Sequence, residues 1–285
     1  MPTDSHDRNP RVLVFDSGVG GLSVVAEIQR QLPGCDLIYA SDNAAFPYGT
    51  KSEATLIERV DVVLHRLLAR EAVDIIVVAC NSASTLALPA IRARFSQPIV
   101  GVVPAIKPAA ALSSTRVIGL LATPGTIARQ YTRDLIREFA SDCEVISLGS
   151  SELVQMAEQH LRAQPLAPGA LARILAPLHS HPRGAEMDTL VLACTHFPLL
   201  RQELRDVLGE TVRLVDSGEA IARRVQHWLA TLPLSAGARP VHHEAWFTRD
   251  TSEVRALAPA LARFGIQDLS VEPVPFADSN NSCIN

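Results

Sequence analysis

Short apolar runs recur along the chain, each bounded by turn residues and separated from the next by a longer stretch with helical spacing. Residues 12–15 form the first run; a glycine-rich turn follows, and residues 22–32 have the pattern of a helix. Residues 36–39 predict a second strand. In residues 53–70, Leu56, Val60, Val63, Leu64 and Leu67 fall near the 3.6-residue period and predict an amphipathic helix. Residues 74–79 are almost wholly apolar, as a strand covered on both faces is. The pattern then recurs, with strands predicted at 116–121, 144–148 and 189–193. Helices are predicted at 127–140 and from near Ser151 and Ala170. A strand and turn at 213–215 lead into Asp216-Ser217-Gly218, which echoes Asp16-Ser17-Gly18 but continues as a helix at 219–229. A loop at 232–240, a strand at 244–247 and a helix at 252–264 complete the pattern. Strands alternating with helices predict an α/β fold built on parallel sheets.

The two halves resemble each other. "VDIIVVACNSAST" begins at Val73 and "MDTLVLACTHFPL" at Met187. Each is an Asp, an apolar strand, then Ala-Cys and a polar residue. Two copies of one unit predict two pseudo-symmetric domains, each a mostly parallel sheet flanked by helices, with an active site between them. The first domain is expected to be discontinuous, at 8–104 and 215–275, because the late strand and helix are needed to complete it. The second spans 105–214.

Composition narrows the class. The chain has 285 residues, 47% hydrophobic and 20% charged, an ordinary globular balance. The net charge of −4, without a basic block, gives nucleic-acid binding little electrostatic support. No apolar run reaches membrane-spanning length. Residues 1–10 are polar and lack a signal-peptide pattern, so a short disordered lead and a cytoplasmic location are expected. The polar tail from Phe276 is expected to fray. Five cysteines without a CxxC pair argue for reduced thiols rather than a disulfide scaffold.

Cys80 and Cys194 stand apart from Cys35, Cys143 and Cys283, which carry no such setting. Each is expected at the C-terminal end of a parallel strand, where α/β sheets build their sites. Each precedes helix-start residues: Asn81 and Ser82 after Cys80, Thr195 and Pro198 after Cys194. A helix N-terminus stabilises a thiolate, so both thiols are expected to be acidified. Two matched thiols suit disulfide redox chemistry, although that chemistry favours close CxxC spacing. Acyl transfer needs only one thiol and a base. Racemisation needs two opposed acid/base groups, and the duplication favours it. A lysine Schiff base to pyridoxal phosphate has little support, because the lysines, Lys51 and Lys107, sit in no cofactor motif. A cofactor-free site needs donors for the substrate carboxylate, and the backbone N–H groups of "VFDSGVGGLS" are the candidates. As a dinucleotide fingerprint that segment lacks the last glycine of GxGxxG. Asp16 suits a substrate ammonium better than a pyrophosphate. The histidines outside the second cysteine motif lack acidic or cysteine partners at ligand spacing, and no metal site is expected.

The motifs "FDSGVGGLSV" (15–24), "DNAAFPYGTKS" (42–52), "ACNSAST" (79–85), "LLATPGT" (120–126), "SELVQMAE" (151–158) and "ACTHFPLL" (193–200) together resemble the glutamate racemases of the aspartate/glutamate racemase superfamily. They span nearly the whole chain in the family's order. The resemblance implies racemisation of glutamate without pyridoxal phosphate, supplying D-glutamate for peptidoglycan. It implies that Cys80 acts on the D-enantiomer and Cys194 on the L-enantiomer. By the same resemblance Asp16, His196 and Glu152 join the catalytic set, with Glu152 near the second cysteine. Ser17, Tyr48, Gly49, Asn81, Ser82, Thr123, Thr126 and Thr195 join Asp16 and His196 in contacting substrate. Ser82 and Phe197 stand where Thr and Tyr are common. A homodimer is expected, and some members of the family bind DNA gyrase, which leaves a second, non-enzymatic role open. Aspartate or another amino acid as substrate, and a dinucleotide-dependent oxidoreductase, are the alternatives.

Overall fold

The structure, a computed structural model, describes residues 8–233 and 239–274. Most of the expected N-terminal lead, part of the 232–240 loop, the tail from Phe276 and Cys283 lie outside the described residues. The strands are β1 (Arg11–Asp16), β2 (Asp36–Ser41), β3 (Ile75–Val78), β4 (Ile99–Gly101), β5 (Val117–Ala122), β6 (Glu144–Gly149), β7 (Thr189–Leu192), β8 (Arg213–Val215), β9 (His243–Phe247) and β10 (Asp268–Val271). They form two sheets, ordered β10-β9-β2-β1-β3-β4 and β6-β5-β7-β8. Every pairing is parallel. The helices are α1 (Leu22–Gln31), α2 (Glu53–Leu68), α3 (Asn81–Arg92), α4 (Ile106–Leu112), α5 (Pro124–Ala128), α6 (Gln130–Phe139), α7 (Glu152–Leu161), α8 (Ala170–Ser180), α9 (Arg201–Leu208), α10 (Gly218–Leu229), α11 (Ser252–Arg255) and α12 (Ala258–Arg263).

Side chains alternate across each strand, so a sheet covered on both faces needs apolar residues at successive positions. In β1, Val12 and Val14 join a core shared with α1, α10 and α12, while Leu13 and Phe15 join one shared with α2 and α3. The second sheet is covered by α7, α8 and α9 on one face and by α4 and α6 on the other. The expected α/β architecture of two helix-flanked parallel sheets is what the chain adopts.

The run β2-β1-β3-β4 matches β6-β5-β7-β8 position for position. β3 and β7, the strands that deliver Cys80 and Cys194, are therefore topologically equivalent. In each sheet the chain moves one way from β1 or β5 and then returns to the other side, leaving a crevice at the strands' C-terminal ends. The aspartates that open the two repeats act at the opposite ends of the strands. Asp74 accepts the Arg11 N–H at 2.7 Å, and Asp188 accepts those of Ser114 and Thr115 at 2.7 and 3.1 Å. Both hold the entry to the neighbouring strand.

Several local expectations needed correction. The helix expected at 127–140 is two helices, because Arg129 is extended and its guanidinium reaches Ser82 O and Thr85 Oγ1 on α3. The helix expected at 252–264 likewise breaks between α11 and α12. The short β4 and the edge strand β10 were not anticipated; β10 is only four residues long, and although Leu269 and Val271 alternate with polar residues, the strand lies largely exposed at the sheet edge. Among the described residues no helix is long and apolar enough to cross a membrane.

Candidate active site

A cavity of about 140 Å3 opens where the C-terminal ends of the two sheets meet. Asp16 and Ser17 reach it from the end of β1, Cys80 from the end of β3, Thr123 from the end of β5 and Cys194 from the end of β7. Tyr48 and Gly49, Asn81 and Ser82, Thr126, Thr195 and His196 also line it. All the residues that the sequence marks for the site, except one, thus meet around a single space.

The exception is Glu152. It starts α7 on the solvent side, half exposed, and pairs with Arg173 of α8. The carboxylate beside the second cysteine is Glu158, six residues on. At 100° per residue, six residues turn the side chain to another face, whereas Val154 and Gln155, which line the cavity, are one turn before Glu158. Glu158 closes the same motif, so helical phase was the signal that separated the two acids. Phe46, Pro47, Gly125 and Gln155 also line the cavity and were not anticipated.

On the Cys194 side the groups form a chain. Cys194 Sγ lies 3.7 Å from His196 Nδ1, and His196 Nε2 lies 3.0 Å from Glu158 Oε1. Glu158 Oε1 also accepts the Val19 N–H at 2.9 Å, and its Oε2 accepts Arg162 Nη2 at 2.6 Å. Burial opposes the Glu158 charge, but the hydrogen bond and charge of His196, helped by Val19 N–H and Arg162, hold it below the usual carboxylate range. Burial also opposes an imidazolium. Hydrogen bonding to Cys194 and Glu158 outweighs it and raises His196 well above an ordinary histidine.

On the Cys80 side, Ser17 Oγ lies 3.8 Å from Cys80 Sγ. Asp16 accepts Ser17 N–H at 2.5 Å and the Thr195 hydroxyl at 2.8 Å, so it joins the two halves. Asn81 does the same by donating to Ala193 O; its Oδ1 is buried without a protein partner. Cys80 caps α3, as anticipated, but it is not acidified. Burial, and then the Asp16 charge, push its thiol up to about 12, and the Ala83 N–H of α3 offsets only part of that. Cys194 precedes a 3-10 turn at Phe197–Leu200 rather than an α-helix.

The glycine-rich turn also differs from expectation. Its Val19 N–H does bind an anion, but that anion is Glu158. The glycines give clearance: a Cβ on Gly20 would lie 2.5 Å from both His196 Nδ1 and Thr195 Oγ1, and one on Gly18 would strike Glu158 Oε1. Across the cavity, a Cβ on Gly125 would lie 2.7 Å from Gly49 O, so two backbone segments meet there without side chains. Tyr48 turns its hydroxyl away from the cavity to Asp42 at 2.6 Å. Asp42 is held in turn by a buried pair with Arg59 and by the Thr248 hydroxyl.

Residues 13–225 match the family model described as Asp/Glu/Hydantoin racemase. The chain belongs to that family. It is a racemase, hence an isomerase. It is 53% identical over 233 residues to a glutamate racemase of Vibrio cholerae, covering 82% of this chain and 85% of that one. It is 50% identical over 268 residues to a glutamate racemase of Pectobacterium carotovorum, covering 93% and 92%. The structure is similar to that of Escherichia coli glutamate racemase in complex with L-glutamate and the activator UDP-MurNAc-Ala. There the TM-score is 0.88 at 48% identity, over 94% of this chain and 100% of that one. The racemase of Francisella tularensis in complex with D-glutamate aligns with a TM-score of 0.74 at 25% identity, over 93% and 97%.

Proposed function

We propose that the protein interconverts L- and D-glutamate by a two-thiol mechanism without a bound cofactor. The observation that carries this reading is the pair of cysteines at equivalent strand ends of two equivalent sheets, both lining one cavity. One thiolate removes the Cα proton, the electron pair passes into the substrate carboxylate, and the opposite thiol returns a proton to the other face. From the other enantiomer the roles reverse. Neither Lys51 nor Lys107 lines the cavity, so the site offers no lysine for a Schiff base among the described residues.

The environments of the thiols differ in a way that suits this cycle. With its thiol pushed up to about 12 by burial and by Asp16, Cys80 is the protonated partner of the pair. Cys194 has beside it an imidazole, His196, whose raised proton affinity lets it hold the thiol's proton. Glu158, as a carboxylate, only accepts hydrogen bonds, so His196 Nε2 carries a hydrogen and Nδ1 faces the sulfur. Substrate ammonium beside Asp16 and Asn81 Oδ1 would offset the Asp16 charge. The hydroxyls of Ser17 and Ser82 line the same cavity and are the candidate donors to the substrate carboxylates, since Thr195 already donates to Asp16 and Thr123 to Thr126. D-Glutamate made this way would supply peptidoglycan synthesis. Circular dichroism of L-glutamate and, in parallel, L-aspartate tests the reading without added cofactor. Decay of the glutamate signal to zero is expected. Decay of aspartate alone, or dependence on pyridoxal phosphate, would overturn it.

A further inference from the structure

Glu158 is a buried anion that reaches the cavity only through His196. What holds it is therefore able to set the proton affinity of the Cys194 side alone. Arg162 stands one helical turn beyond Glu158 and donates to Oε2 at 2.6 Å, while Val19 N–H and His196 share Oε1. Its Nε reaches Glu253 O at 3.3 Å, on α11 of the other half. Arg162 is mostly buried, with 16% of its side chain exposed, in a groove shared with Arg249, Glu253 and Leu257 rather than in the reaction cavity. Among the described residues no carboxylate–histidine pair stands behind Cys80; around it are Ser17, Asp16, the α3 N-terminus and, interacting by charge alone, the Arg129 guanidinium on the other half.

We propose that Arg162 is a positioning residue for proton transfer at Cys194, acting through Glu158 and His196 and not on the Cys80 face. This rests on the two-thiol reading above. A guanidinium on Oε2 keeps Glu158 ionised and prevents its rotation. The ionised carboxylate fixes the imidazole with Nδ1 toward the sulfur. Without Arg162, the carboxylate faces the groove with one oxygen unpaired and protonates at higher pH. A protonated Glu158 no longer holds His196 as a base. The acidic limb of Cys194-side chemistry therefore moves up in pH. The charged and titratable groups around Glu158 are Arg162 on α7 itself, His196 after β7, Tyr39 on β2, and Arg249 and Glu253 across the groove. Together with Arg162 on the same helix, His196 is the described side chain that touches the carboxylate as a charge-bearing donor.

Halide release from the two enantiomers of β-chloroglutamate reads the two faces separately. A thiolate takes the Cα proton, the electron pair forms the carbon–carbon double bond, and chloride leaves, so no second protonation is needed. For Arg162→Gln, kcat on the L-enantiomer should fall about tenfold, part of the roughly hundredfold that a positioned acid–base group contributes. The acidic limb on the L-enantiomer should move to higher pH, and kcat on the D-enantiomer should change less than about twofold. Arg162→Lys keeps the charge on Glu158 but cannot also reach Glu253 O, and should restore most of the L-side rate. Equal loss on both enantiomers, no loss on either, or no recovery with lysine would overturn the proposal. Wild-type protein that eliminates chloride from neither enantiomer would overturn the two-thiol reading itself and the inference with it.

Discussion

Gly20→Ala tests whether the glycine-rich turn exists to clear space for the Cys194 side. The backbone at Gly20 is not in the left-handed region, so alanine is permitted conformationally and only clearance matters. The new methyl would lie 2.5 Å from His196 Nδ1 and from Thr195 Oγ1, so reaching ordinary contact requires these atoms or the turn to move by about 0.9 Å. Two interactions lie in the path: His196 to Cys194 at 3.7 Å and Thr195 to Asp16 at 2.8 Å. Overpacking of this kind costs about 1–3 kcal/mol of stability. A displacement near 1 Å in a reacting constellation costs on the order of a hundredfold in rate. Gly34→Ala is the control, since nothing lies within 4 Å of its added Cβ. Racemisation followed by circular dichroism and a thermal melt should show Gly20→Ala slowed about a hundredfold with a melting point lower by a few degrees, and Gly34→Ala unchanged in rate. Gly20→Ala with wild-type kcat would refute the clearance argument.

Glu158→Gln should lower kcat by about a hundredfold, as loss of an acid–base relay does, whereas Glu152→Gln should stay within about twofold because Glu152 faces solvent against Arg173. Steady-state kinetics of both variants separate them. At Asp188 burial opposes the charge, but hydrogen bonds from Ser113, Thr115, Ser114 and Thr189 outweigh it and lower the carboxyl to about 2. A depressed folded value stabilises fully above the unfolded value of about 3.9 and is lost as pH falls toward 2. Asp188→Asn should thus lower the urea midpoint at pH 6 more than at pH 2.5. Cys80, pushed up to about 12 by burial and by Asp16, should resist alkylation at neutral pH. Asp16→Asn should move its iodoacetamide profile, read by peptide mass spectrometry, to lower pH.

The β1, β3, β5 and β7 strands were legible because a strand covered on both faces must be apolar at successive positions, and the repeated Ala-Cys marked the matching ends of β3 and β7. β10 was not, because its four residues lie at an exposed edge and contain no continuous apolar run. Cavity residues contributed by strand ends follow directly from where strands stop, which placed Asp16, Cys80, Thr123 and Cys194. Glu158 required the rotational phase of α7, and a motif match alone does not carry phase. The thiol acidity of Cys80 was misjudged for a physical reason: helix-start chemistry is visible in sequence, but full burial beside an ionised Asp16 is a tertiary fact. In sequence the glycine-rich turn looks like an anion cradle, whereas the neighbours that require Gly18 and Gly20, namely His196, Thr195 and Glu158, come from the other half of the chain.

The central claim is that two thiols work on opposite faces of one carbon. Serine is a poor base at neutral pH, so each Cys→Ser variant leaves one competent thiol. Halide release from each enantiomer of β-chloroglutamate by each variant is the most direct test. Both variants should lose racemisation. Cys80→Ser should retain elimination from the L-enantiomer, and Cys194→Ser from the D-enantiomer. If both variants favour the same enantiomer, the two-face account is contradicted.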